Sequence, residues 1–175
     1  MNEVIACILK RRSIRSFKPD MPERKDIDRI IEAGLYAPSG HGTQDTIILA
    51  VTNKELRDRI SRDNYRVVGR ETDTDPFYGA PVILIVLADR SSSNRIYDGS
   101  LVMENMMLAA TSLGLGSIWI NRAREEFDTE EYKQLLKDLR IEGEWEGIGH
   151  CAIGYIDGEI PEAAPRKAGR VYYVE

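Results

Sequence analysis

The sequence predicts a single domain, residues 1–175, that mixes helices with strands around one core. Four stretches carry that expectation. From Leu101 to Leu113 apolar residues occupy nearly every side of a helical wheel, interrupted mainly by Glu104 and Asn105, so this helix is buried on most faces. Val82 to Ala88, VILIVLA, is a continuous apolar run of strand length opened by Ala80-Pro81, which reads as a buried strand. Thr46–Thr52 and Ile148–Ile156 are two further strand-length apolar runs. With 175 residues, 42% hydrophobic and 30% charged, the chain can bury a substantial core but is too short for two ordinary domains.

The amino-terminal stretch Glu3–Lys10 places Val4, Ile5, Ile8 and Leu9 at the spacing of an amphipathic helix. Five cations follow within nine residues, in Lys10-Arg11-Arg12-Ser13-Ile14-Arg15-Ser16-Phe17-Lys18. In a chain of net charge −5 such a cluster is either a solvated surface run or a phosphate cradle, since arginine forks and a serine hydroxyl match phosphate oxygens. Asp20-Met21-Pro22-Glu23 has the form of a helix start, with Asp20 as N-cap, and Ile27, Ile30, Ile31 and Leu35 line one face until Pro38. The loop Ala37–Gln44 is dense in glycine and small hydroxyls. Its His41, with no acidic orienter nearby in sequence, reads as an exposed side chain rather than a general acid.

Glu55–Ile60 reads as one or two helical turns, and Ser61–Gly79, charged and without hydrophobic periodicity, as a long surface loop. After the central helix, Gly114 and Gly116 supply a helix end and a sharp turn into Ser117–Asn121, a short extended segment. They are not a dinucleotide fingerprint, because they follow a helix and Trp119 stands where the third glycine belongs. Asp128-Thr129-Glu130-Glu131 is a capping box for a helix through Leu139. In the last core strand His150 and Cys151 point to opposite faces, so they cannot share a metal or form a dyad, and Cys151 reads as core. The tail Gly158–Glu175 carries Arg166, Lys167 and Arg170 before the strand-like Val171–Val174, which can pair with another subunit as readily as with its own.

The acid excess argues against nucleic acid as a partner. No stretch is long and apolar enough to span a bilayer, so no membrane partner is expected. Cys7 and Cys151 lie far apart with no metal-ligand spacing, and the amino terminus lacks a signal core, which leads to the expectation of a reduced, cytoplasmic protein.

In order and spacing, Arg11-Arg12-Ser13-Ile14-Arg15, Ala37-Pro38-Ser39-Gly40 followed by Gln44, Ala80-Pro81, Leu113-Gly114-Leu115-Gly116-Ser117 and Arg166-Lys167 together resemble the nitroreductase family of flavin-dependent oxidoreductases. The resemblance implies an α+β fold, a mainly antiparallel sheet flanked by helices, assembled as an intertwined homodimer with one FMN at each end of the interface. It further implies that Arg11, Arg12, Ser13 and Arg15 grip the FMN phosphate, ribityl chain and pyrimidine edge, with Arg166 and Lys167 on the phosphate. Pro38, Ser39, Gly40 and Gln44 would come from the other subunit. Trp119, Ile120 and Asn121 match the loop, running on to Arg122, whose backbone amide faces flavin N5 and O4, and Asn64 matches an asparagine on the flavin ring.

The implied activity is reduction of flat, electron-poor acceptors such as nitroaromatics or quinones by NAD(P)H, in a ping-pong cycle in which the cofactor, not a catalytic side chain, carries the chemistry. The alternative is a non-enzymatic FMN-binding or storage protein. The chain departs from the family pattern at Gly42, where Asn is usual, and at Asp45-Thr46, where Pro-Trp is usual. It also lacks the inserted helices that narrow the cleft in longer members, which implies an open, shallow site.

Overall fold

A computed structural model describes residues 1–175. Its centre is the run Val82–Asp89, strand β2, in which Val82 through Ala88 are all fully buried. Alternation sends Val82, Leu84 and Val86 to one face and Ile83, Ile85 and Leu87 to the other, so one strand feeds two cores. β2 pairs antiparallel with β1 (Thr46–Val51) on one side and with β4 (Trp145–Gly154) on the other; β3 (Gly116–Ile120) pairs antiparallel with β4. The sheet order is β1-β2-β4-β3.

Helices cover both faces. On the first lie α2 (Arg24–Leu35) and the central helix α4 (Arg95–Ser112), whose Met103 and Met106 are fully buried against Leu84 and Ile153. On the second lie α3 (Lys54–Arg66), α5 (Ala123–Phe127) and α6 (Glu130–Asp138), packed through Ile60, Phe127 and Tyr132. α1 (Glu3–Lys10) rests on α4 but buries no residue fully, leaving Val4, Ile5, Ile8 and Leu9 roughly half exposed or more. No helix is long and apolar enough to cross a membrane.

Several elements differ from the sequence expectation, each for a physical reason. The stretch read as a loop from Ser61 is helical through Arg66, because α3 buries a polar face: Ser61, Asp63 and Asn64 are buried but hydrogen-bonded to Asp75, Tyr132 and Glu126. Apolar periodicity could not reveal that face. Asp75 then ties the remaining loop, accepting from Ser61 Oγ, Phe77 N and Gly79 N and pairing with Arg57 at 2.5 Å. α2 starts at Arg24 with Glu23 as N-cap, not Asp20. α4 begins at Arg95 rather than Leu101, its first turns carrying the exposed Ile96 and Tyr97. Val171–Val174 forms no strand; the segment is exposed and unpaired in the single chain.

His150 and Cys151 do separate across the sheet. His150 meets the edge of Phe77 with ring centroids 5.3 Å apart, while Cys151 joins the opposite core, where burial pushes its thiol pKa up to about 12. The helix expected after Asp128 is present as α6, but its cap lies one residue later than the box implied: Thr129, not Asp128, is the N-cap and accepts from Tyr132 N, so Glu131 does not close a capping box.

One close approach fixes the second layer. A Cβ at Gly147 in β4 would lie 2.2 Å from the carbonyl carbon and oxygen of Ala123, so only glycine lets the start of α5 sit on the strand. Gly147→Ala is expected to cost about 3 kcal/mol or more of stability by overpacking backbone on backbone, read as a lowered urea midpoint; a midpoint equal to wild type would contradict this packing.

Candidate flavin site

The basic run leaves α1 in extended form. Ser13 bridges Ser117 in parallel and Ile14 N donates to Ser117 O at 3.1 Å, so the segment lies along the edge of β3. Arg12 folds back, its Nη1 donating to the carbonyls of Leu9 in α1 (2.6 Å) and of Arg11, the residue that caps it (2.7 Å), a cation placed on a helix C-terminus. Its Nε is buried with no acceptor in the chain. The buried Ser117 Oγ likewise lacks a partner. Arg11 reaches Glu104 at 3.7 Å, but Lys10, Arg12, Arg15 and Lys18 have no carboxylate partner. A cavity of about 150 Å³ opens here between Lys10, Arg12, Ile14, Thr111, Gly114 and Leu115. Unpaired cations and an orphaned guanidinium N–H fit a phosphorylated, anionic ligand.

The loop Pro38–Gln44 stands at the other end of α4. Gly40 N donates to both carboxylate oxygens of Asp98 at 3.1 Å, and Asp98 sits in the first turn of that helix, where a carboxylate also suits the helix dipole. Gly40–Gly42 forms a 3-10 turn, closed by Ser39 Oγ accepting from Gln44 N at 3.0 Å. His41 and Gln44 both take left-handed φ, 56° and 55°, and both are exposed. An open hollow of about 510 Å³ borders Tyr36, Pro38, Ser39, Gly42 and Gln44. From Asp98 to Thr111 α4 rises ~20 Å, so in one chain this loop and the Arg12 cavity are far apart.

Trp119 and Ile120 end β3, followed by the exposed Asn121. The Trp119 ring is laid on Gly149, where a Cβ would lie 2.7 Å from it, which places the ring with the α2/α4 core. Asn64 is fully buried. Its Nδ2 donates to Asn121 O (2.9 Å) and Glu126 Oε1 (2.8 Å), and its Oδ1 accepts from Arg122 Nη1 (2.7 Å). With both ends of the amide engaged inside the chain, Asn64 ties the segment rather than facing open space.

Arg166 and Lys167 lie in the exposed tail. Arg166 hydrogen-bonds only the neighbouring Ala164 O, at 2.8 and 3.2 Å, and neither residue has an ion-pair partner. The single chain therefore does not bring them to Arg11 and Arg12, and the tail beyond residue 160 makes no hydrogen bond to the rest of the protein.

Sequence reasoning passed over Glu126, took Arg122 only as the end of a backbone-contact loop, and considered His150 only against Cys151. His150 Nε2 meets Glu126 Oε2 at 2.7 Å with both side chains fully buried, next to the Asn64 contacts. Tyr132 closes the cluster by donating to Asp63 at 3.0 Å; burial above all, then the charges of Glu126 and Asp63, raises its pKa and keeps it a neutral donor. The only local signal was a positively charged side chain just before a helix start and an acid four residues into it.

Comparison with known proteins identifies the family. The model of the nitroreductase family matches residues 8–155. A NADPH-flavin oxidoreductase from Vibrio harveyi is 32% identical over 181 aligned residues, taking in 98% of this chain and 72% of that protein. An NAD(P)H-dependent FMN reductase of Bacillus subtilis is 29% identical over 146 residues, 71% of this chain but 56% of that longer protein. A nitroreductase from Bacteroides fragilis, crystallised with bound FMN, superimposes with a TM-score of 0.91 at 30% identity over the whole of both chains. With most of its length matched, the chain belongs to the nitroreductase family.

Proposed function

We propose that the protein is an FMN-dependent oxidoreductase that takes reducing equivalents from NAD(P)H and delivers them to flat, electron-poor acceptors. The observation that carries this reading is the buried, acceptorless Nε of Arg12 within a patch of unpaired cations, in a chain whose net charge is −5. FMN and NAD(P)H enter from the relatives, which are named for flavin reduction or hold FMN.

When bound, FMN supplies two-electron acceptance and release; the chain supplies binding, orientation and electrostatics. Arg12, with Arg11, Ser13 and Arg15, would hold the phosphate and polar edge of the cofactor, and Arg166 and Lys167 would add charge from the tail. Pro38, Ser39, Gly40 and Gln44 would wall the site, and the backbone at Ile120–Arg122 would present N–H donors where negative charge develops.

The active form is a homodimer. The Arg12 cavity and the Pro38–Gln44 loop lie at opposite ends of α4, and a two-fold axis that crosses the two α4 helices antiparallel sets the loop of one subunit beside the cavity of the other. The half-exposed apolar face of α1 and the apolar groove of about 420 Å³ between α1 and α4, lined by Val4, Cys7, Ala33, Leu108 and Ala109, support burial there. Two free thiols, with no disulfide, suit the cytoplasm.

The test is anaerobic. Reconstituted protein should bleach on addition of NADH or NADPH and recover its yellow colour with a quinone or a nitroaromatic, whose KM values should fall within about tenfold of each other, ~1.4 kcal/mol, because the cleft is open. A yellow protein that no nicotinamide bleaches is a storage protein and ends this reading. One acceptor preferred a thousandfold would mean a shaped pocket.

A further inference from the structure

Three consecutive backbone carbonyls at the end of β3 are tied inward. Ile120 O lies 3.2 Å from His150 Nδ1, Asn121 O accepts from Asn64 Nδ2 at 2.9 Å, and Arg122 O accepts from Glu126 N at 3.0 Å. A trans peptide points its N–H opposite to its C=O. The N–H groups of Asn121 and Arg122 are therefore turned outward, and neither has a hydrogen-bond partner in the chain. Arg122 also takes left-handed φ of 81°, held by its bond to Asn64 Oδ1 and by stacking of its guanidinium 4.7 Å from the Tyr65 ring.

The side chains behind this turn are one connected unit. A carbonyl can only accept, so His150 Nδ1 carries a proton toward Ile120 O. The 2.7 Å contact of Nε2 with Glu126 Oε2 then requires one further proton between ring and carboxyl, and Glu126 Oε1 is left to accept from Asn64. Every polar atom of the unit is satisfied, which is what rigidifies a buried network.

We propose that His150, Glu126 and Asn64 are positioning residues that aim the N–H groups of Asn121 and Arg122 at the flavin edge. The inference deepens the proposed function and rests on FMN being the ligand. None of the three touches the cofactor; they act through the backbone, where donors fixed in advance stabilise developing negative charge best. They come from α3, α5 and β4, so the turn is held from three elements at once.

The experiment compares wild type with His150→Phe, Glu126→Leu, Glu126→Gln and Asn64→Ala. FMN affinity is read by fluorescence titration, the bound flavin's midpoint potential by anaerobic reductive titration, and folding by thermal melts of FMN-free protein. His150→Phe keeps the ring but removes the donor to Ile120 O, and is expected to weaken FMN binding about tenfold and lower the midpoint potential. Glu126→Leu should do the same. Glu126→Gln should restore most of both, since its amide still accepts from Asn64 and donates to a neutral His150. If His150→Phe and Glu126→Leu do not fold, Asn64→Ala decides, with the same direction expected. Folded variants with wild-type affinity and potential overturn the proposal while leaving FMN binding intact. Wild type that binds no FMN overturns the functional reading, and the network's flavin role with it.

Discussion

Removing residues 166–175 is expected to abolish both the dimer and tight FMN binding. The segment carries Arg166, Lys167 and Arg170 and ends in Val171, Tyr172, Tyr173 and Val174, all between 71% and 98% exposed in the single chain. Four consecutive large apolar or aromatic side chains held in water are unusual in a monomer, and the proposed dimer gives them a surface to bury against. Their burial contributes ~1.5 kcal/mol or more each, enough in sum to decide whether two subunits stay together at micromolar concentration. Sedimentation of the shortened chain should give a monomer, and its visible spectrum should lack flavin. A truncated protein that remains dimeric and yellow would show that the tail is dispensable.

Arg12→Ala should weaken FMN binding by about ten- to a hundredfold. Hydrogen bonds to charged groups contribute ~1.5–3 kcal/mol each, and 1.4 kcal/mol is tenfold in affinity. Arg12 is half-buried and already anchored by its bonds to Leu9 O and Arg11 O, so its guanidinium is preorganised and little rotamer entropy is lost on binding. Arg166→Ala should act in the same direction but less strongly, because that side chain starts exposed and must be ordered. Fluorescence titration gives both constants. Affinity unchanged in Arg12→Ala would remove the phosphate cradle from the account.

Much of the fold was legible because its signals are local. The unbroken apolarity of Val82–Ala88, the spacing of Val4, Ile5, Ile8 and Leu9, the all-round apolar wheel of Leu101–Leu113 and the helix start near Asp128–Thr129 each need only a few neighbouring residues to be read. The second half of α3 was hidden because its inward face is built from Ser61, Asp63 and Asn64, polar residues whose burial makes sense only once their partners Asp75, Tyr132 and Glu126 are folded against them. The His150–Glu126 pair was hidden for the same reason: 24 residues separate two side chains that meet only across β4 and α5. The strand expected at Val171–Val174 has no ladder to join within its own chain, and sequence cannot supply one.

For the site, charge was the readable part. The cations at Lys10–Lys18 stand out in an acidic chain, and the structure leaves all but Arg11 of that run without a carboxylate partner. The loop holding the donors at Asn121 and Arg122 came only from the family resemblance, because a backbone N–H carries no sequence signature of its own; the inward-tied carbonyls of Ile120, Asn121 and Arg122 show which N–H groups are turned outward.

The central claim is that one FMN site needs the basic run of one subunit and the Pro38–Gln44 loop of its partner. A mixed dimer tests it. One chain carries Arg12→Ala; the other carries Asp98→Leu, which removes both carboxylate oxygens that accept from Gly40 N and so releases the loop. Each variant alone should bind FMN poorly. In the mixed dimer, purified through two different tags, one site combines the intact Arg12 with the intact loop, so it should bind one FMN per two chains at near wild-type affinity. A mixed dimer that binds no better than either parent would contradict a site shared between subunits.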